Sequence, residues 1–364
     1  MTLALRLAAK GRRTTSPNPM VGAVVVNQGR VVGQGFHFRP GLPHAEILAL
    51  RRAGSRARGA TLYVTLEPCC HLNKRTPPCV PEVIHSGVSR VVIAMSDLNP
   101  EVKGRGSSAL RRAGLSVTVG IARSEAEILN KAYSHWITTK RPYVILKAGM
   151  TLDGKIATAS GEAMWITGKQ SRQEVHDLRA RVDAVLVGIG TVLADDPALT
   201  ARVGLQLNKP ASTQPLRIVV DSALRIPMKA KVLSGQERAK TIVATTDSAS
   251  ASRKQTLLKR GIEVLTLPTV RGKVSLPALM RELGRRDVTS LLVEGGGEIN
   301  AAMLKAKLVR HVRLYMAPVL LGGVDVDAKG LIGGKSPARL TSALRLRNVT
   351  NRFVGSDLLV EGDL

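Results

Sequence analysis

Two α/β domains in one chain are what this sequence predicts, on three observations. Short apolar runs such as VGAVVV, TLYVTL, RVVIAM, VDAVLVGIG and LRIVVDS alternate with segments of helical spacing such as HAEILALRRAG. At 364 residues and 44% hydrophobic content, the chain is long and apolar enough for two domains, each with its own core. Around Tyr133–Pro142 the alternation gives way to YSHWITTKRP, a mixed, basic connection, and a new apolar strand, YVILKAGM, follows. The boundary is expected there, dividing residues 1–140 from 141–364.

The elements follow in order. LALRLAAK has helical spacing, VGAVVV and RVVGQGF read as strands, HAEILALRRAG as a helix and TLYVTL as a strand. A segment holding every cysteine comes next, then a helix in PEVIHSG, a strand in RVVIAM, a helix in ALRRAG and a strand in LSVTVG. After the boundary, VDAVLVGIG, LRIVVDS, AKTIVATT, IEVLTL, TSLLVEGGG and VRLYMAPVLLGG read as strands separated by helices or loops. Thr200–Pro215 and Asp247–Gln255 are polar and expected to be surface loops. No repeat of fixed period is present.

Composition excludes several classes. No stretch approaches the roughly 18 uncharged apolar residues needed to cross a bilayer; the best runs, Ala184–Ala194 and Leu314–Val324, are shorter and broken by glycine or proline. The net charge of +27 suggests nucleic acid, but it divides as +14 up to Arg141 (21 basic, 7 acidic) and +13 after it (33 basic, 20 acidic). Charge spread this evenly, with only 2% aromatic residues for base stacking, fits a generally basic protein with an anionic substrate better than a nucleic-acid binder. Three cysteines cannot make a disulfide framework, so a reducing cytoplasm and metal binding are expected.

Those cysteines lie in EPCCHLNKRTPPCV, one strand after PHAEILAL, which sets His44 and Glu46 two residues apart at a helix start. One imidazole and two thiolates are three zinc ligands, leaving a fourth position for water as in catalytic sites. A glutamate beside the metal would move the protons, the division of labour that hydrolytic deamination needs. H-x-E followed by P-C-x-x-C is the zinc deaminase signature. Here H-A-E and P-C are present, but the second cysteine is Cys79, ten positions after Cys69 and behind a TPP turn. Cys69, directly after Pro68, is expected to open a turn or helix N-terminus, which favours thiolate. Cys70 should point elsewhere, because adjacent side chains diverge. Cys69 and Cys79 are therefore the expected ligands, and His71 is a loop residue or a substrate contact.

With these motifs in view, the chain resembles a known family. TTSPNPMVGAVVV, GFHFRPGLPHAEILAL and TLEPCCHLNKRTPPC look like the bifunctional riboflavin biosynthesis proteins, in which a pyrimidine deaminase is joined to a pyrimidine reductase. LKAGMTLDGKIATASGEAMWIT, GIGTVLADDPALTAR, RIVVDS and LLVEGGGEINAAML are similar to the reductase part. The resemblance implies a cytidine-deaminase-like domain followed by a dihydrofolate-reductase-like domain. It makes MTLALRLAAKGRRTTSPNP, which could pass for a leader or a basic arm, the first helix and turn of the deaminase domain. It implies zinc on His44, Cys69 and Cys79, Glu46 as proton shuttle, Asn18 and His37 at the pyrimidine, and Arg75 at the substrate phosphate. The family usually has serine at Cys70, one residue fewer across Asn73–Lys74, and serine at Ala163.

In the second half, SLLVEGGGEINAAML is a buried strand, a glycine run and a helix, which lets a ligand approach the backbone and offers phosphates a helix N-terminus. The resemblance implies an NADPH site lined by Gly149, Trp165, Thr167, Thr191, Asp195, Ser222, Gly296 and Gly297. Lys147 stands in an apolar strand and needs a partner, for which Asp195 and Asp196 are candidates. The family match favours Asp195 and implies catalytic roles for Lys147 and Asp195. It also places Arg179, Leu199, Arg202 and Glu294, with Asp195, at the substrate. The expectation is a cytoplasmic, homo-oligomeric enzyme that deaminates a phosphorylated pyrimidine with zinc and then reduces its ribosyl chain with NADPH, without nucleic-acid or membrane partners. The alternative is a nucleoside or tRNA deaminase with an unrelated second domain.

Overall fold

A computed structural model describes residues 1–12, 14–72, 76–202, 214–323, 329–334 and 336–364. The chain forms two compact units, Met1–Arg141 and Pro142–Leu364.

The first unit runs α1 (Thr2–Ala8), β1 (Gly22–Asn27), β2 (Arg30–Phe36), α2 (Ala45–Ala53), β3 (Thr61–Leu66), α3 (Cys79–His85), β4 (Arg90–Met95), α4 (Arg105–Arg112), β5 (Ser116–Val119), α5 (Arg123–Leu129) and α6 (Lys131–Thr139). Its sheet has the order β2-β1-β3-β4-β5. β1 is antiparallel to β2 and β3, while β3, β4 and β5 are parallel. Ala23, Val25, Leu62, Val64, Val91 and Ile93 pack against Ala45, Ala49, Val83 and Leu110 in one buried cluster. Two glycines set how closely α2 lies on β2. A Cβ on Gly33 would stand 2.1 Å from the Ala49 carbonyl oxygen, and one on Gly35 would stand 2.6 Å from that of Ala45. The start of α2, where His44 and Glu46 lie, is thereby held at backbone contact with the sheet.

The second unit runs β6 (Tyr143–Thr151), β7 (Lys155–Ala157), α7 (Lys169–Arg179), β8 (Ala184–Gly188), α8 (Ile189–Asp195), β9 (Leu216–Val220), β10 (Thr241–Thr245), α9 (Ala251–Lys259), β11 (Glu263–Thr266), β12 (Thr269–Val270), β13 (Lys273–Val274), α10 (Leu276–Arg285), β14 (Ser290–Val293), α11 (Gly297–Lys305), β15 (Val309–Ala317), β16 (Lys329–Gly330), β17 (Arg347–Val354) and β18 (Asp357–Asp363). The large sheet has the order β11-β10-β9-β8-β14-β6-β15-β18-β17. It is parallel from β11 to β15 and antiparallel at β18 and β17. Leu146, Leu186, Ile218, Leu291 and Val293 join one core cluster with Leu279, Leu283 and Met303. Val185, Val187, Val219 and Leu292 join another with Leu178, Val192 and Leu257. A parallel sheet covered on both faces explains the unbroken apolar runs.

Several elements depart from the sequence expectation. YSHWITTKRP is helical through Thr139, and Ile137 is the one buried residue of α6, so its apolar stripe is too thin to read. Asp247–Gln255 holds the start of α9, capped where the Ser250 hydroxyl accepts the Arg253 amide; of that helix Leu257 alone is buried, so its polar face reads as a loop. Most of Thr200–Pro215, residues 203–213, lies outside the described residues. VDAVLVGIG is strand only to Gly188, and the hairpin of β17 and β18 was not anticipated.

Gly35→Ala is expected to lift α2 from β2 at a cost of about 1–3 kcal/mol, typical of overpacking. Hydrogen-exchange mass spectrometry should show faster exchange in α2 and β2 with β8–β10 unchanged; unchanged α2 protection would contradict the close-packing account.

Candidate active sites in the two units

His44 is the residue before α2, Cys69 follows β3, and Cys79 opens α3. The His44 Nδ1 atom lies 3.5 Å from Cys69 Sγ and 3.2 Å from Cys79 Sγ, and all three ligand atoms fall within 4.8 Å of one another. Zinc bonds of about 2.0 Å to nitrogen and 2.3 Å to sulfur put such atoms about 3.5 Å apart around a tetrahedral ion, so the set fits zinc. The other ring nitrogen, Nε2, is 3.1 Å from the Thr76 hydroxyl. A proton on Nε2 donated to Thr76 leaves the Nδ1 lone pair free for the metal. Cys69 lies in an irregular segment, and it is Cys79 that stands at a helix start, a correction to the expected local setting of Cys69. The Cys69 carbonyl accepts the amides of Cys79 and Val80 at 3.0 and 3.2 Å, which draws the two cysteines together across the ten-residue spacing. Cys70 turns away, its Sγ 3.9 Å from the Glu101 carbonyl.

Glu46, in the first turn of α2, is 3% exposed, and its Oε2 has no hydrogen-bond partner among the described residues. Burial raises its pKa, while the His44 charge opposes that. A buried carboxylate oxygen left open beside three converging ligand atoms is what a proton-transfer group requires. His37 is buried, its ring 5.1 Å from that of His44. Its Nδ1 lies 3.3 Å from the Pro43 carbonyl and its Nε2 3.0 Å from Asn18 Nδ2. The carbonyl can only accept, so Nδ1 carries the proton and Nε2 accepts from Asn18. Asn130 holds this turn by bonding both the amide and the carbonyl of Met20, at 2.8 and 3.0 Å. Arg75 lies outside the described residues. His71 pairs with Glu101 at 3.6 Å.

In the second unit, Lys147 on β6 meets Glu294 at 3.6 Å, and Arg179, the last residue of α7, bonds the same carboxylate at 2.5 and 2.9 Å. This corrects the expected pairing of Lys147 with Asp195. The parallel register sets Val293, the last residue of β14, opposite Leu146, so Glu294 leaves the end of β14 beside Lys147, which lies within β6. Burial alone would raise the pKa of Glu294, but Arg179 and Lys147 hold it down at about 2. Burial pulls Lys147 down, and Glu294 partly restores it. Arg179 also donates to the Thr200 carbonyl at 3.2 Å, so its guanidinium is turned inward. Asp195 ends α8, where burial raises its pKa and the Lys329 ammonium opposes the rise. Leu199 is 2% exposed with φ of 54°, its side chain in the core. Arg202 is exposed, with its amide 3.3 Å from His176 Nδ1.

Of the residues expected at NADPH, Thr191, Ser222 and Gly296 follow the carboxyl ends of the parallel strands β8, β9 and β14. Thr191, after β8, accepts the Gly296 amide at 3.2 Å, beside the start of α11. A Cβ on Gly149 would lie 2.9 Å from Thr167 Cγ2. Trp165 is 70% exposed under the Arg172 guanidinium, 4.5 Å from its ring centre. Ser222, after β9, receives the Val274 amide at 3.0 Å. Gly297 is packed against the chain itself, its carbonyl accepting the Gly333 amide at 2.9 Å. The chain runs outward from β8 to β11 and returns to insert β14 between β8 and β6, a topological switch point of the kind where open α/β sheets bind ligands.

Sequence reasoning passed over two buried acids near the cysteines. Glu67 accepts three main-chain amides, and Asp97, raised to about 6 by burial, accepts the Tyr133 hydroxyl at 3.0 Å. The only signal for either was an acid inside or just after an apolar run.

Residues 1–95 match the cytidine and deoxycytidylate deaminase zinc-binding region, and residues 142–360 match the RibD C-terminal domain. The riboflavin biosynthesis protein RibD of Aquifex aeolicus is 43% identical over 99% of this chain and 96% of its own length; that of Actinobacillus pleuropneumoniae is 41% identical over 99% and 93%. The solved structure of Acinetobacter baumannii RibD, form 1, superposes with a TM-score of 0.88 at 36% identity, over 100% of this chain and 97% of that one. A Thermotoga maritima diaminohydroxyphosphoribosylaminopyrimidine deaminase/5-amino-6-(5-phosphoribosylamino)uracil reductase gives 0.85 at 36% identity, with the same coverage. Fold and comparisons define a bifunctional enzyme, a zinc-dependent deaminase followed by an NADPH-dependent reductase. The chain belongs to the RibD family of riboflavin biosynthesis proteins. The match across both units excludes an unrelated second domain.

Because Glu294 titrates at about 2 in the folded chain against an ordinary 4.5, its stabilisation is complete above 4.5 and lost as pH falls towards 2. Glu294→Gln should cost about 3–5 kcal/mol near neutrality, as breaking a buried ion pair does. Urea unfolding should show that cost shrinking below pH 4.5; a pH-independent cost would contradict the ion-pair account.

Proposed function

We propose that the first unit deaminates 2,5-diamino-6-ribosylamino-4(3H)-pyrimidinone 5′-phosphate and that the second reduces the ribosyl group of the product to ribityl. The observation that carries the first step is the unpartnered, buried Oε2 of Glu46 beside the converging Nδ1 of His44 and sulfurs of Cys69 and Cys79. His44, Cys69 and Cys79 would hold zinc, which would supply Lewis acidity that lowers the pKa of a water to about 7. Glu46 takes the water's proton at Oε2 and returns it to the departing amine nitrogen, so that ammonia leaves and oxygen takes its place on the ring. Asn18 and His37 orient the pyrimidine, and Arg75 holds the phosphate.

NADPH bound in the second unit would supply a hydride for C1′ of the ribosyl group, with a proton delivered to the ring oxygen as its bond to C1′ breaks and the sugar opens. Lys147 gives that proton, a role supported by the contact of its ammonium with Glu294 and by the burial that lowers its pKa. Glu294 and Arg179 fix this cation, while Asp195, Leu199 and Arg202 orient the substrate. Gly149, Trp165, Thr167, Thr191, Asp195, Ser222, Gly296 and Gly297 line the cofactor site. Cysteines outside any disulfide, two of them in a metal-ligand set, suit the cytoplasm. Among the described residues no helix is long and apolar enough to cross a membrane.

Mass spectrometry of the diamino substrate with purified protein tests both steps. The product should exchange one amino group for oxygen without NADPH, and gain two hydrogens only with it. Cys69→Ser and Cys79→Ser should lose zinc and deamination, Cys70→Ser should keep both, and Glu46→Gln should keep zinc yet stop deamination while still reducing a supplied deaminated substrate. Loss of zinc in Cys70→Ser, or reduction without prior deamination, would overturn the assignment.

The chain also offers a surface for the homo-oligomer. β17 is the last strand of the large sheet, exposed from Arg347 to Phe353, with Val349 54% and Phe353 75% exposed. An unprotected edge of that length invites pairing with a second copy. Sedimentation equilibrium should give an oligomer that Phe353→Asp weakens by about tenfold or more; a wild-type monomer at micromolar concentration would remove the proposal.

A further inference from the structure

We propose that Glu67 is a positioning residue for the deaminase centre, its buried carboxylate fastening to α4 the segment that delivers Cys69. The proposal rests on the ligand set assigned above. Glu67 is 3% exposed. Its Oε1 accepts the Ser107 amide at 2.8 Å, and its Oε2 accepts those of Gly104 and Asp97 at 3.0 and 3.2 Å. Ser107 is the third residue of α4, and the residue preceding that helix is Gly104, at φ 79°, with no side chain to cap it. Glu67 therefore supplies from a distant part of the chain the cap that α4 lacks, and the helix dipole answers its charge.

The main chain is pinned at the same place. The Glu67 amide donates to the Met95 carbonyl at the end of β4, 3.0 Å away. A Cβ on Gly106 would stand 2.1 Å from the Pro68 carbonyl oxygen, so the first turn of α4 touches the Glu67–Pro68 backbone at a glycine. Cys69 is the next residue, and its carbonyl holds the amides of Cys79 and Val80. One carboxylate thus fixes the start of the segment whose end sets both sulfurs. Glu67 touches neither substrate nor metal in this scheme and acts through Cys69.

Glutamine at this position keeps the shape but turns an NH2 group towards amide donors, where only an acceptor serves. With cobalt(II) replacing zinc, the wild-type chain should show thiolate-to-cobalt charge-transfer bands for two sulfurs. In Glu67→Gln those bands should weaken, and release of zinc to a chelator should quicken by about 10–100-fold, the range for lost supporting contacts around a metal. Reduction of a supplied deaminated substrate should stay at the wild-type rate. Ser107→Pro removes one of the three donors, and the first turn of a helix tolerates proline, so it should shift metal release the same way by less. It serves as the test if Glu67→Gln does not fold. A variant with wild-type cobalt bands and wild-type zinc release, even with a lowered melting temperature, would show a purely structural cap and overturn the proposal. Absence of thiolate bands in the wild-type chain would instead overturn the ligand set.

Discussion

A buried carboxylate is costly unless its charge is answered, and this constraint orders both units of the chain. Three glutamates meet it differently. Glu67 is answered by three amides and a helix N-terminus, Glu294 by a guanidinium and an ammonium. Glu46 keeps one oxygen without a hydrogen-bond partner among the described residues. The first two are saturated and rigid, which suits parts that hold others in place. The third is open, and an open acceptor beside a set of metal ligands is where chemistry is expected.

Backbone packing decides where these charges can stand. α2 reaches the sheet only because Gly33 and Gly35 leave room for the carbonyls of Ala49 and Ala45, and α4 reaches Pro68 only at Gly106. In the second unit the same work is done by register. Neighbouring parallel strands place Lys147 and Glu294 side by side, and the return of the chain to β14 brings Thr191 and Gly296 together. Both sites therefore depend on side chains whose positions are set by strands and close helix contacts rather than by long loops, which is how small positional tolerances are met.

The two sites were legible in the sequence to different degrees. His44, Cys69 and Cys79 could be read because metal ligands must be particular residue types, and few residues of those types compete for the role; Glu46 could be read from its place two residues after His44. The partner of Lys147 could not, because β6 and β14 are nearly 150 positions apart and their register is not a local property. Asp195 was the plausible neighbour by motif; Glu294 is the neighbour in space. Helices α6 and α9 escaped notice for a simpler reason: each buries a single side chain, and periodicity is visible only when several apolar residues repeat. Glu67 was quoted within the cysteine motif, but nothing local to it shows that its acceptors face a helix almost forty residues later.

The large positive charge is set by composition, and the structure shows where the scarce acids are used. The chain has 27 acidic residues against 54 lysines and arginines, so acids are the scarce partner. Several are committed to internal contacts: Glu67 and Asp183 to main-chain amides, Glu294 to two cations, and Glu174 on α7 to Arg352 on β17 and Arg313 on β15. Glu361 and Asp363 enclose His311 on β15. With these acids turned inward or already paired, little negative charge is left to offset the 54 lysines and arginines, and a net charge of +27 spread through both halves of the sequence gives a broadly positive field. Such a field attracts a phosphorylated substrate to either unit but does not select it. Selection is left to the few positioned groups in each site, consistent with the view that electrostatics beyond the contact distance governs encounter and not recognition.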